Sequence, residues 1–152
     1  MCREKPTLTL SQLRRDLSSL PRWIVRLAPT LLGRGLSNRF REELMLAVTG
    51  ENRCRYCQAV HTALGRASGL ERAEVEAILA GQEGGRTEGE RVALAYVRDL
   101  ARRGFESRDE GLRERLRGCF DEETVEAIEA TARAINLANR FGNTIDALIG
   151  AR

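Results

Sequence analysis

At 152 residues the chain has the length of one domain, which buries about 68–70% of its unfolded surface and needs no staple to hold its core. Hydrophobic residues make up 42% and charged residues 31%, the balance of a soluble globular chain, and no run approaches the roughly 20 apolar residues of a membrane helix. The net charge of +3 hides an asymmetry, because residues 1–41 hold nine Arg or Lys against Glu4 and Asp16. No nucleic-acid motif accompanies that basic end, and Lys5 is the sole lysine, so it reads as a solvated arginine-rich surface.

Strand signals are nearly absent, since aromatics are 5% and Ala, Leu, Glu and Arg dominate; the expected fold class is all-α, a helical bundle. The opening residues lack the charged-then-apolar order of a secretory signal, so a cytoplasmic, reducing setting is expected. Residues 1–35 form an N-terminal extension of one or two short helices broken at Pro21, with Trp23, Ile24 and Leu27 facing the body. A helix then starts at Ser37 or Asn38 and carries the apolar run Leu44–Val48 to Gly50, about which a helical hairpin turns. Asn52 is the expected cap of the next helix, over Cys54–Leu64.

Glu71–Leu79 reads as a further helix, closed by the loop "AGQEGG". Thr87 and Glu90 make a capping box ahead of Val92, Leu94, Val97 and Leu100, and Gly104 ends that helix. A short helix follows near 108–118. The last begins after Asp121 and repeats Val125, Ile128, Ala132 and Ile135 on one face, with Gly142 as a point of interruption. No linker or repeat divides residues 1–152, so a single domain is expected.

The chemistry concentrates in "CRYCQAVH", residues 54–61. Cys54 and Cys57 fall in or near the first turn of their helix, where the dipole and free amide groups favour a thiolate. His61, the chain's one histidine, lies one turn beyond Cys57 on the same face and could take its proton directly or through a water. A base of this kind needs orienting, and Glu42 and Glu43 at the start of the preceding helix are the candidates; spacing does not choose between them.

Rival readings of the motif are weaker. A c-type haem site needs His directly after the second cysteine, where Gln58 stands. Zinc would find three ligands in Cys54, Cys57 and His61 but would need Cys119 or a glutamate as a fourth. A thioredoxin-type centre needs a βαβ setting. Cys2 and Cys119 have no partner at motif spacing and are expected to be dispensable.

The segment "REELMLAVTGENRCRYCQAVHTALGRASG", residues 41–69, resembles the signature of the AhpD-like alkylhydroperoxidases of the carboxymuconolactone decarboxylase superfamily. The shared pattern is a glutamate, an apolar run, then Asn-x-Cys-x-Tyr-Cys-x-x-x-His and a glycine. "GERVALAYVRDL" and "NLANRFGNTIDALIG" are similar to later helices of that family. The resemblance implies an AhpD-like bundle in which the family glutamate falls on Glu42, Cys57 is the peroxide-reactive thiol, Cys54 resolves it, and Glu42 and His61 form the proton relay. Some members carry another histidine between the cysteines; Arg55 and Tyr56 stand there instead.

On that basis the expected activity is a thiol peroxidase that reduces alkyl hydroperoxides. It would be re-reduced by a lipoyl-type or thioredoxin-like dithiol donor and would work as a homo-oligomer, trimeric or larger. No metal or organic cofactor is expected. The alternatives are a thiol redox sensor or disulfide-exchange protein, and a decarboxylase-like or binding member of the superfamily.

Overall fold

The structure, a computed structural model, describes residues 4–16, 18, 21, 25, 35–82 and 84–150. Cys2, Trp23, Ile24 and Leu27 lie outside the described residues. The fold is all-α. Six helices are bounded among the described residues: α1 (Asn38–Asn52), α2 (Arg55–Ala67), α3 (Arg72–Ala80), α4 (Glu88–Arg102), α5 (Glu110–Cys119) and α6 (Glu122–Gly150). Residues 10–16 are also helical, and Pro21 has helical backbone. No described helix is long and apolar enough to cross a membrane.

The caps follow the side chains available. Ser37 caps α1 by accepting from Phe40 N, Asp109 caps α5 by accepting from Leu112 N, and Asp121 Oδ1 accepts from Thr124 N at the start of α6. The capping box Thr87–Glu90 starts α4, and a second one, Glu71–Glu74, starts α3.

Helix α1 is the centre of the bundle and packs against α2, α3, α4 and α6. Leu44, Met45, Leu46, Ala47 and Val48 are all buried on consecutive positions, so the helix is enclosed on every side. Around it gather Ile78, Leu94, Tyr96, Leu116 and Ile128 in one continuous core. The buried guanidinium of Arg98 on α4 donates to the carbonyls of Ala47 on α1 and Ile78 on α3. It thereby ties α1 and α3 together through α4, adding to the Ile78 carbonyl a second donor beside the Gly81 N–H that caps α3.

Two turns differ from the sequence expectation. Helix α1 does not stop at Gly50. It continues to Asn52, and the reversal falls on Arg53, whose left-handed backbone (φ 53°) lets its N–H bond Thr49 O. Gly50 instead lies inside the helix, where α3 crosses closely enough that a Cβ would sit 2.6 Å from Leu79 O. Nor does Gly142 interrupt α6, which runs unbroken from Glu122 to Gly150.

Alanine normally favours a helix over glycine. At Gly50 the sign is reversed, because the clash is with backbone that cannot rotate away. Gly50→Ala is expected to lower stability by about 1–3 kcal/mol in denaturant unfolding, and an unchanged or raised midpoint would show that α3 moves aside freely.

Candidate active site

The turn from α1 into α2 builds the site. The first helical residue of α2 is Arg55, and its cap is Cys54, whose Sγ accepts from Cys57 N at 3.4 Å. Asn52, expected as that cap, is instead the buried last residue of α1; its Nδ2 donates to Asn136 Oδ1 on α6 at 2.9 Å. The reason is local: the left-handed turn at Arg53 delays the new helix by two residues, and the first extended residue after it is Cys54.

Helix α6 holds that turn. Asn143 Nδ2 donates to Asn52 O at 2.8 Å and to Pro6 O at 3.0 Å, and Thr49 Oγ1 donates to Asn139 Oδ1 at 3.3 Å. Residues 5–12 are pinned to the same helix through Lys5–Asp146, Leu8 N to Thr144 Oγ1, and Arg140 Nη1 to Gln12 Oε1. Arg55 adds an ion pair to Asp146 at 2.6 Å and a hydrogen bond to the Tyr56 hydroxyl. Sequence reading had missed all of these except as apolar periodicity; the signal was three asparagines, 136, 139 and 143, at helical spacing on an otherwise apolar face.

The two sulfurs lie 3.0 Å apart as free thiols, Cys54 fully buried and Cys57 partly exposed. One turn further along α2, His61 Nδ1 meets Glu42 Oε2 at 2.8 Å. Of the two glutamates left open by spacing, Glu42 is the one that reaches the imidazole. Glu43 turns away toward Arg39 and Arg86, at 3.6 and 3.8 Å, and burial raises its pKa. Nδ1 is the ring nitrogen that Glu42 engages, and no direct hydrogen bond joins His61 to Cys57.

The expected thiolate at the helix start is not what burial permits. Removal from water, followed by the hydrogen bond with Cys54, pushes the Cys57 thiol up to about 12, and the bond from its own amide offsets little of this. Desolvation thus favours the neutral thiol at Cys57. Cys119 stays exposed at the end of α5. Among the described residues no group of three or more His, Cys, Asp or Glu is placed to hold a metal ion.

An all-helical fold with a vicinal dithiol beside a carboxylate-oriented histidine defines a helical thiol protein. The family model described as carboxymuconolactone decarboxylase family matches residues 19–99, just over half the chain. The chain belongs to that family, which includes AhpD-like proteins. The match covers α1 to most of α4 and therefore Glu42, both thiols and His61, but not α6. A search of curated proteins finds no match.

A raised thiol pKa has a sign that can be checked twice. The folded chain keeps a proton on Cys57 that the unfolded chain releases above its ordinary value of 9.0, so this group's contribution to stability is present below pH 9 and lost as pH climbs toward 12. Alkylation of Cys57, followed by peptide mass mapping, is expected to accelerate about tenfold per pH unit from 7 past 9. A plateau reached below pH 8 would mean that the thiolate is already formed at rest.

Proposed function

We propose that the protein is a thiol peroxidase that reduces hydroperoxides through a Cys54–Cys57 dithiol/disulfide cycle. The observation that carries this reading is the pair of free thiols 3.0 Å apart on the helix that also presents His61, itself held by Glu42 at 2.8 Å. Cys57 is the attacking thiol because it is the less buried of the two.

Since the resting thiol is protonated, a base must act during the reaction. His61 Nε2 takes the Cys57 proton through a bridging water, and Glu42 at Nδ1 stabilises the imidazolium that forms. The sulfur attacks the terminal peroxide oxygen, the O–O bond breaks, and the alkoxide leaves as alcohol with the proton returned by the imidazolium. Cys57 is left as a sulfenic acid. The Cys54 sulfur then attacks Cys57, water leaves, and the disulfide closes. A dithiol donor of lipoyl or thioredoxin-like type restores both thiols by exchange.

An open cleft of about 550 Å³ lies between α2 and α3, with Val75 and Leu79 as apolar lining and Arg66, Arg72 and Glu76 at its edge; neither cysteine of the pair nor His61 lines it. Gln58 and Thr62, which follow Cys57 and His61 in the chain, form its α2 wall. The setting proposed is the cytoplasm, and the working form a homo-oligomer. Tyr56, Val60 and Leu64 support the latter: they are 42%, 54% and 48% exposed and make an apolar stripe at four-residue spacing along α2.

The high pKa of Cys57 favours a second reading, in which the pair exchanges disulfides with a partner and turns over peroxide slowly. Mass measurement after one addition of an alkyl hydroperoxide, with a sulfenic-acid trap present, separates the two. Cys57→Ser is expected to consume no peroxide. Cys54→Ser should consume about one equivalent and stop, with the trap adduct on Cys57. His61→Ala should slow the reaction by about 10²–10⁴ at neutral pH, with Glu42→Gln slower than wild type in the same direction. An adduct on Cys54 reverses the roles, and disulfide exchange with no peroxide consumption in the wild type establishes the second reading.

A further inference from the structure

We propose that the cavity between the end of α4 and the first half of α6 binds a small organic carboxylate, held by the guanidinium groups of Arg108 and Arg133. The site stands apart from the thiol chemistry: neither cysteine of the pair lines it, nor does His61 or Glu42. All of its lining residues except Tyr96 lie beyond the stretch that the family model matches. Its volume is about 280 Å³, just below the roughly 300–1,000 Å³ of ligand pockets, so only a short molecule fits. Tyr96, Leu100 and Phe105 supply an apolar side, and Ser107, Arg108 and Arg133 supply donors.

The two arginines are held there with donors to spare. Phe105 N bonds Leu100 O, a turn that folds the chain back after α4, and the Arg133 guanidinium lies over the Phe105 ring, 5.2 Å from its centroid. Arg133 makes no hydrogen bond among the described residues, and its ion pair with Asp16 Oδ1 is 3.8 Å long. Arg108 uses Nε on Glu110 Oε1 at 2.9 Å, while its Nη1 stops 3.9 Å from Glu129 Oε1. The carboxylates of the cavity are already engaged. Glu129 Oε1 accepts from the Tyr96 hydroxyl at 2.7 Å and from Arg113 Nε at 2.9 Å, and Glu106 pairs with Arg15 at 3.2 Å. The donors left to solvent thus sit on two planar cations, and they call for an acceptor that can take a fork of N–H bonds. A carboxylate does this bidentately, and the apolar side suits a short hydrocarbon body attached to it.

Calorimetric titration of the reduced full-length protein with sodium hexanoate tests this. Hexanoate is expected to bind one to one with half-saturation below about 1 mM. Acetate, which lacks the body, and hexanol, which lacks the charge, should each bind at least tenfold more weakly. Arg133→Gln should weaken hexanoate binding at least tenfold, and Arg133→Lys should not restore it, because an ammonium offers no planar fork. Arg108→Gln should weaken it in the same direction. Weaker or unsaturable hexanoate binding by the wild type, or acetate or hexanol within tenfold of hexanoate, overturns the proposal. So does unchanged binding in Arg133→Gln.

Two further measurements locate the ligand. The α2–α3 cleft also combines arginine with aliphatic side chains, so Arg66→Gln at its edge should bind hexanoate as the wild type does. Loss of binding in Arg66→Gln would seat the carboxylate in that cleft and overturn the proposal. Alkylation of Cys57 should run at the same rate with and without saturating hexanoate, whereas protection would place the molecule at the thiols and overturn it equally. No hydroperoxide takes part, so a protein that reduces none but binds hexanoate as described sinks the peroxidase reading without touching this one.

Discussion

The site depends on how the buried end of α1 satisfies its polar groups. Thr49 and Asn52 are both buried, and a buried amide or hydroxyl without a partner costs about 1–3 kcal/mol. Helix α6 answers with Asn136, Asn139 and Asn143, one turn apart, which take the Asn52 amide, the Thr49 hydroxyl and the Asn52 carbonyl. Asn52 is two residues before Cys54. Its clamped amide and carbonyl therefore fix where the chain leaves α1, where α2 begins, and on which residue the helix cap falls. This polar seam fixes the register of α6 on α1 more tightly than apolar packing would, because a slide of one residue would leave several groups unpaired.

From that clamp the chemistry of the pair follows. With Cys54 as the cap, its sulfur is turned inward to accept from Cys57 N, and so it is the buried member. Cys57, three residues on, is half in contact with the core and half toward solvent. Burial around it favours the neutral thiol. The hydrogen bond between Glu42 and His61 spans α1 and α2, so the helices that set the thiol geometry also hold the imidazole.

The N-terminal segment is part of the same arrangement. Asn143 bonds both Asn52 O and Pro6 O, and Asp146 pairs both Arg55 and Lys5. Residues 5–12 thus lie along the face of α6 beside the thiols. The basic character of the first 41 residues, read from sequence as solvated surface, is used in part for contacts of this kind: Arg39 pairs with Glu43 and Glu74, and Arg15 with Glu106.

Much was determined by the sequence alone, wherever the signal was local. Helix existence, the Thr87–Glu90 box, the Asp121 cap and the buried run Leu44–Val48 depend on residues a turn apart, so short-range pattern reaches them. The candidate site residues Cys54, Cys57, His61 and Glu42 were likewise legible, because three of them fall within two turns at the start of one helix and the fourth follows from the family resemblance. What the tertiary structure decided lies where two distant segments meet. Gly50 reads as a helix stop until α3 is seen to cross it, and Gly142 reads as an interruption until Cys54 is found against it. Asn52 reads as a cap until Asn136 takes its side chain. Helix-terminus electrostatics pointed to a lowered thiol pKa, and burial by the core reversed it. Local hydrogen bonding and periodicity are written in neighbouring residues, whereas close approach and desolvation exist only once residues some 90 positions apart are in contact.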